Sequence, residues 1–91
     1  MLAFMRGREL VGRNVRRVRV AKRISQERLA FDSGVDRSYL GGLERGEENP
    51  TVDVLDKLAA TLGVSIAELF EAIEASAAVE GLPRGRKRKS S

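Results

Sequence analysis

The chain has 91 residues, among them 17 lysines and arginines and 13 aspartates and glutamates, and a formal net charge of +4 at pH 7. This length suffices for one small domain and leaves no room for a separate catalytic domain. The absence of cysteine and histidine excludes a disulfide framework and removes the commonest zinc ligand and acid–base group. We therefore expect no enzymatic activity, no metal and no cofactor.

Charge is divided unevenly along the chain. Residues 1–46 carry 11 basic and 5 acidic side chains. Residues 47–80 carry 1 basic and 8 acidic side chains, and residues 81–91 carry 5 basic side chains and no acidic one. Such separation is typical of a protein that presents its basic part to phosphates and keeps its acidic part clear of them. The apolar part of the N-terminal segment 1–10 is too short for a signal peptide or a membrane span, so we expect a cytoplasmic protein that contacts no membrane.

Hydrophobic periodicity predicts five α-helices and no strand. The first has Val11, Val15 and Val18 on one face. Side chains that accept hydrogen bonds from a first helical turn stand before the second, third and fourth helices, at Ser25, Asp36 and Thr51. Ser65 and Glu68 have the spacing of a capping box for the fifth. The predicted helices, in chain order, are residues 9–23, 26–33, 37–44, 52–62 and 66–78.

Residues 25–46 have the pattern of a DNA-reading helix-turn-helix, in which two short amphipathic helices are joined by a turn. Gly34 marks the turn because glycine readily takes the left-handed backbone conformation that ends a helix. Gly41 and Gly42 lie inside the second of these helices, where each costs about 1 kcal/mol relative to alanine. They predict a bare, exposed surface that lets the backbone approach DNA, or, alternatively, a surface that packs against another helix.

The stretch from Val15 to Phe70 resembles the repressor and Cro class of helix-turn-helix domains, the XRE family. The residues that carry the resemblance are Arg19; Ser25 and Gln26 with Leu29, Ala30, Gly34 and Val35; Leu43 to Gly46 with Asn49 and Pro50; and Leu58 and Ala59 with Leu62 to Ser65. The resemblance implies an all-α, five-helix, lambda repressor-like DNA-binding domain. We expect this domain over residues 1–78, and a disordered basic tail over residues 79–91 that adds phosphate contacts, improves solubility or acts as a nuclear address.

The resemblance also implies roles for individual residues. Arg37 and Ser38 begin the recognition helix, where family members reach base edges, and with Gly41 and Gly42 they are the predicted base-reading residues. A partly buried ion pair between Arg19 and Glu44 is expected to join the first helix to the end of the third. The residues expected to contact DNA phosphates are Gln26, Tyr39, Arg45 and Asn49.

The small size of the domain predicts a homodimer, because specific binding at physiological salt usually requires two half-sites. The spare apolar residues lie late in the chain, so Phe70, Ile73 and Val79 are the expected dimer interface. The predicted function is transcriptional regulation from an inverted-repeat operator, by a phage-type repressor or a restriction-modification controller. Two alternatives remain: an antitoxin that represses its own operon and binds a toxin partner, and a protein-interaction module that has lost DNA binding.

Overall fold

The computed structural model describes residues 5–73, and within this range the chain forms helices only. The all-α prediction is confirmed, and the second, third and fourth helices have the predicted bounds. Val79 and the basic tail lie outside the described residues. The elements are α1 (Gly7–Ala21), α2 (Gln26–Ser33), α3 (Arg37–Glu44), α4 (Val52–Leu62) and a 3₁₀ helix (Ile66–Phe70).

α1 begins and ends two residues earlier than predicted. Its start lies at Gly7 because the carboxylate of Glu9 accepts a hydrogen bond from the backbone N–H of Arg6 at 3.2 Å, which places Glu9 in the first turn. Its end lies at Ala21 because Arg23 has a φ of +60°. This left-handed turn lets the N–H of Ile24 bond the carbonyl of Arg19 at 3.1 Å, which satisfies the end of the helix.

Arg23 is the only non-glycine residue with positive φ in the described part of the chain. A side chain in this conformation costs on the order of 1 kcal/mol, which glycine avoids. We therefore expect Arg23→Gly to raise the free energy of unfolding by up to about 1 kcal/mol, as measured by urea denaturation. Lys22→Gly is the matched control, because Lys22 has a φ of −93° and gains nothing from glycine. Equal or greater stabilisation by Lys22→Gly would contradict this account.

The predicted N-caps of α2, α3 and α4 are present in the structure. The hydroxyl of Ser25 accepts a hydrogen bond from the N–H of Arg28 at 3.0 Å, and the carboxylate of Asp36 accepts one from the N–H of Tyr39, also at 3.0 Å. The hydroxyl of Thr51 caps α4 in the same way at 3.1 Å. These caps fix where α2 and α3 begin, so they also fix which side chains lie at the start of α3.

The fifth element differs from the prediction of an α-helix that continues to residue 78. It is a 3₁₀ helix that ends at Phe70, and the side chain of Ser65 makes no capping hydrogen bond. The cause lies in α1: the amide of Asn14 donates to the backbone carbonyls of Leu69 at 3.1 Å and Glu71 at 2.9 Å. Glu71 has extended backbone angles, and these contacts hold the chain outside a helical path at this point. Residues 74–78 lie outside the described range.

The core lies where the four α-helices and the 3₁₀ helix meet. Its members are aliphatic side chains shielded from water, and burial of each one stabilises the fold by about 1.5–3 kcal/mol. The most deeply buried aliphatic side chains are those of Val15, Leu29, Leu40, Leu43, Leu58 and Leu69.

Within residues 5–73, no helix has the length and apolar character needed to cross a bilayer.

Candidate nucleic-acid interface

A buried polar network joins α1, α2 and α3. The guanidinium of Arg19 donates from Nε to Oε2 of Glu44 at 2.7 Å and from Nη2 to Oε1 at 3.0 Å, which is a bidentate ion pair. The remaining nitrogen of Arg19, Nη1, donates to the carbonyl of Ile24 at 2.7 Å, and the amide of Gln26 donates to Oε1 of Glu44 at 2.9 Å. The side chain of Glu44 is only 2% exposed. The network therefore fixes the C-terminal end of α3 to α1 and to the start of α2.

The N-terminal end of α3 has the opposite character. Arg37 and Ser38 are exposed, while Tyr39 is half-buried and its ring packs against the core. Leu40 and the four residues after it are buried. α3 is thus anchored through its C-terminal half and presents polar donors from its first turn. This is the geometry needed by a helix whose first residues contact base edges.

The prediction of a bare glycine surface on α3 is wrong, because Gly41 and Gly42 are buried. A Cβ atom placed on Gly41 would lie 3.4 Å from Nη1 of Arg37, 3.4 Å from Nη1 of Arg45 and 3.8 Å from Oε1 of Gln26. One placed on Gly42 would lie 2.9 Å from a carboxylate oxygen of Glu48. Long polar side chains therefore lie over both glycines. These side chains occupy the space in which a bare surface would have let the DNA approach the backbone of α3. A bare glycine surface would also have favoured a protein-interaction module that has lost DNA binding, and the covered glycines give that alternative no support.

The same geometry brings three of the sequence-predicted residues together. Arg37, Arg45 and Gln26 come from α3, the loop after it and α2, and their polar ends converge over Gly41. Arg45 is exposed and bonds the Glu47 carboxylate at 3.1 Å. That hydrogen bond, with the attraction between the two charges, raises the pKa of Arg45 above its ordinary value. The two cationic forks supply donors suited to phosphate oxygens or a guanine edge. The atom of Gln26 at this point is its amide oxygen, an acceptor, because its Nε2 donates to Glu44.

Asn49 lies elsewhere, in a groove of about 250 Å³ that is open to solvent. Phe70, from the predicted dimer interface, lies in the same groove and is 47% exposed. Val52 also lies there and is 64% exposed, although the sequence analysis did not single it out. Ile73 is half-buried. The remaining groove residues are Gly7, Arg8, Val11, Pro50 and Leu55.

Two further residues position this surface and were not predicted from the sequence. Asn14 is fully buried, and its signal was a polar residue on the apolar face of α1 between Val11 and Val15. Gly12 lies where α1 meets the end of α3, and a Cβ atom there would overlap the carbonyl oxygen of Leu43. A glycine inside a helix signals such close contact only weakly, because sequence alone does not show which helix approaches it.

Comparison with known proteins places this geometry in a family. A family model described as helix-turn-helix matches residues 15–69, which is more than half of the chain and includes α2, α3 and α4 in full. The chain belongs to the helix-turn-helix family, in its XRE class. Within residues 5–73 no group of three or more acidic side chains could hold a metal ion.

Individual relatives of this helix-turn-helix protein agree with that assignment. An uncharacterized HTH-type transcriptional regulator, y4dJ of Sinorhizobium fredii, is 50% identical over 62 residues, which cover 68% of this chain and 80% of the relative. The restriction-modification controller C.AhdI from Aeromonas hydrophila superposes with a TM-score of 0.67 at 48% identity and covers 69% of this chain and 96% of its own. SinR, a master regulator for biofilm formation solved in complex with DNA, superposes with a TM-score of 0.64 at 35% identity. The superposition covers 67% of this chain and 98% of the SinR chain.

Proposed function

We propose that this protein binds double-stranded DNA sequence-specifically as a homodimer on an inverted-repeat operator and thereby regulates transcription. The observation that carries the proposal is the exposed first turn of α3, where Arg37 and Ser38 project while the end of the same helix is anchored by Glu44. A helix held in this way enters the major groove with its donors fixed relative to the domain.

In this mechanism base reading and backbone contact use different residues. Arg37 donates two hydrogen bonds to O6 and N7 of a guanine, and Ser38 contacts the neighbouring base. Arg45 donates to a phosphate beside the major groove, together with the hydroxyl of Tyr39. Gln26 has one amide N–H left for a phosphate, because its Nε2 already donates to Glu44. Asn49 lines the same surface groove as Phe70, so we do not assign it a phosphate contact. Gly41 acts indirectly, because the space left by its missing side chain lets Arg37 and Arg45 come together over α3. We assign Gly42 the same kind of role toward Glu48.

Dimerisation supplies the second reading helix. Phe70 and Val52 are exposed on one groove, and Ile73 follows Phe70 by three residues. Burial of these apolar side chains against a second copy removes them from water and places two α3 helices on successive half-sites, roughly 34 Å apart. Val79 belongs to the same proposed interface but lies outside the described residues. The acidic surplus of residues 47–80 supports this arrangement, because it keeps the dimer half away from phosphates.

Substitutions that separate base reading from phosphate contact test the proposal. Arg37→Ala should weaken binding to the preferred operator by about 1–3 kcal/mol and relax discrimination at one base position, because only the bidentate contact to guanine is lost. Arg45→Ala should weaken binding to all sequences about equally and lower the dependence of log affinity on log salt. Fluorescence anisotropy with DNA from upstream of the gene and with a random duplex measures both effects.

Arg45→Ala is a suitable comparison because it removes the same side-chain type and breaks only an exposed ion pair with Glu47. Equal losses on operator and random DNA for both variants would show that α3 does not read sequence. A wild-type protein that does not distinguish operator from random DNA would refute the proposed function itself.

A further inference from the structure

α1 carries five arginines and one glutamate, and three of those arginines line a single recess. Arg13, Arg16 and Arg17 surround a volume of about 320 Å³ that is closed on one side by Glu44. This is the lower end of the size range of small-ligand sites, about 300–1,000 Å³. None of the three belongs to the group over Gly41, so the recess is distinct from the surface at the start of α3.

The clustering of these charges is unfavourable for an isolated helix. Arg13, Arg16 and Arg17 are related by three and four residues, the spacing at which like charges on a helix repel each other. Arg13 and Arg16 are exposed and form no ion pair with any residue in 5–73, and the ion pair of Arg17 with Glu68 is long, at 3.9 Å. The protein itself therefore compensates little of the charge at this recess, and a bound anion would remove the repulsion.

Glu44 does not supply the missing negative charge. Both oxygens of its carboxylate are occupied by Arg19, and Oε1 also accepts from Gln26. Its side chain is almost completely shielded from solvent, so the charge of Glu44 is already neutralised on the inner side of α1.

One of the three arginines is held in place by the protein. Nε of Arg17 donates to the side-chain oxygen of Asn14 at 3.1 Å, and Asn14 is itself fully buried. Nη2 of Arg17 lies 3.4 Å from the carbonyl oxygen of Glu68. These contacts fix the guanidinium before any ligand arrives, which lowers the entropic cost of binding.

We propose that the recess formed by Arg13, Arg16 and Arg17 binds a phosphate group. Guanidinium groups match phosphate oxygens with paired, charge-assisted hydrogen bonds, and a recess lined by three of them selects an anion with several oxygens. Two sources have this chemistry: the backbone of a DNA duplex outside the bases read by α3, and a free phosphorylated small molecule. Binding of a duplex phosphate rests on the proposed function, whereas binding of a free phosphorylated molecule does not.

Two measurements on the full chain distinguish these sources. The first is titration with inorganic pyrophosphate at constant ionic strength, followed by the Nε–Hε NMR signals of the arginines. The second is duplex affinity as a function of salt, with operator and random DNA. Both compare wild type with Arg16→Gln and with Lys57→Gln, a control that removes one exposed charge from α4. Circular dichroism melting verifies that each variant is folded.

A free phosphate ligand predicts saturable shifts of the three arginine signals in wild type and Lys57→Gln, and loss of saturation in Arg16→Gln. A duplex phosphate predicts that Arg16→Gln lowers affinity several-fold on operator and random DNA alike. It also lowers the slope of log affinity against log salt by about 0.9, the value for one phosphate. The proposal is overturned if Arg16→Gln behaves like Lys57→Gln in both measurements. If wild type binds no duplex, the proposed function fails, and the pyrophosphate titration alone then shows whether the recess binds phosphate.

Discussion

Glu44→Ala is expected to lower the free energy of unfolding by about 3–5 kcal/mol, the cost typical of removing one partner from a buried ion pair. The reason is that Arg19 keeps its charge but loses two hydrogen bonds in a position where water replaces them poorly. Gln26 loses a partner as well. The loss is a large fraction of the 5–15 kcal/mol that stabilises a typical domain, so the variant should unfold at much lower urea concentration.

A matched control is available on α2. Asp32→Ala also removes a carboxylate paired with an arginine, Arg28 at 2.9 Å, but this pair is exposed and should contribute no more than about 0.5 kcal/mol. A double-mutant cycle of Arg19→Ala with Glu44→Ala should show that the double variant loses much less stability than the sum of the two single variants. Strict additivity in that cycle, or equal losses for Glu44→Ala and Asp32→Ala, would mean that the buried pair does not hold the fold.

Gly12→Ala is expected to destabilise the protein by about 1–3 kcal/mol through overpacking. The new methyl group would overlap the carbonyl oxygen of Leu43 and lie 2.9 Å from that of Glu44. Both atoms are backbone, so they move only if α1 and α3 separate, and that separation would also weaken the ion pair of Glu44. The higher helix propensity of alanine offsets at most about 1 kcal/mol of this loss.

Gly7→Ala is the matched control, because it also replaces a glycine of α1 by alanine but at a position that does not contact α3. A Cβ atom on Gly7 has no neighbour within 4 Å, so this variant should be as stable as wild type or more stable by up to about 1 kcal/mol. Thermal unfolding followed by circular dichroism compares the two. If Gly12→Ala melts at the same temperature as Gly7→Ala, the close approach of α1 and α3 is not required for stability.

Local signals in the sequence were enough to predict most of the fold. The caps at Ser25, Asp36 and Thr51 and the turn at Gly34 act on neighbouring residues, so α2, α3 and α4 were predicted with the bounds that the structure has. The fifth helix was predicted too long because its end is set by Asn14, which is 57 residues away from Glu71 in the chain. Local periodicity contains no information about such a contact.

The candidate site was predicted only in part. The resemblance led to Arg37, Arg45 and Gln26, which the fold brings together over Gly41. The prediction for Gly41 and Gly42 is wrong because a missing side chain does not by itself leave an open surface: long side chains from α2, α3 and the loop after α3 lie over these glycines. Whether such a glycine is exposed depends on the conformations of the long side chains around it, and the spacing of glycines in the sequence does not reveal those conformations.

The two halves of α3 are subject to different constraints, and this difference bears on how such a regulator diverges. Residues from Leu40 onward are packed or ion-paired, so most changes there threaten folding. Arg37 and Ser38 contribute little to the interior, so a gene copy can exchange them without loss of a folded product. Under the proposed function, single substitutions at these two positions would change the DNA sequence that is preferred, and two duplicated regulators would become independent of each other before either has lost stability.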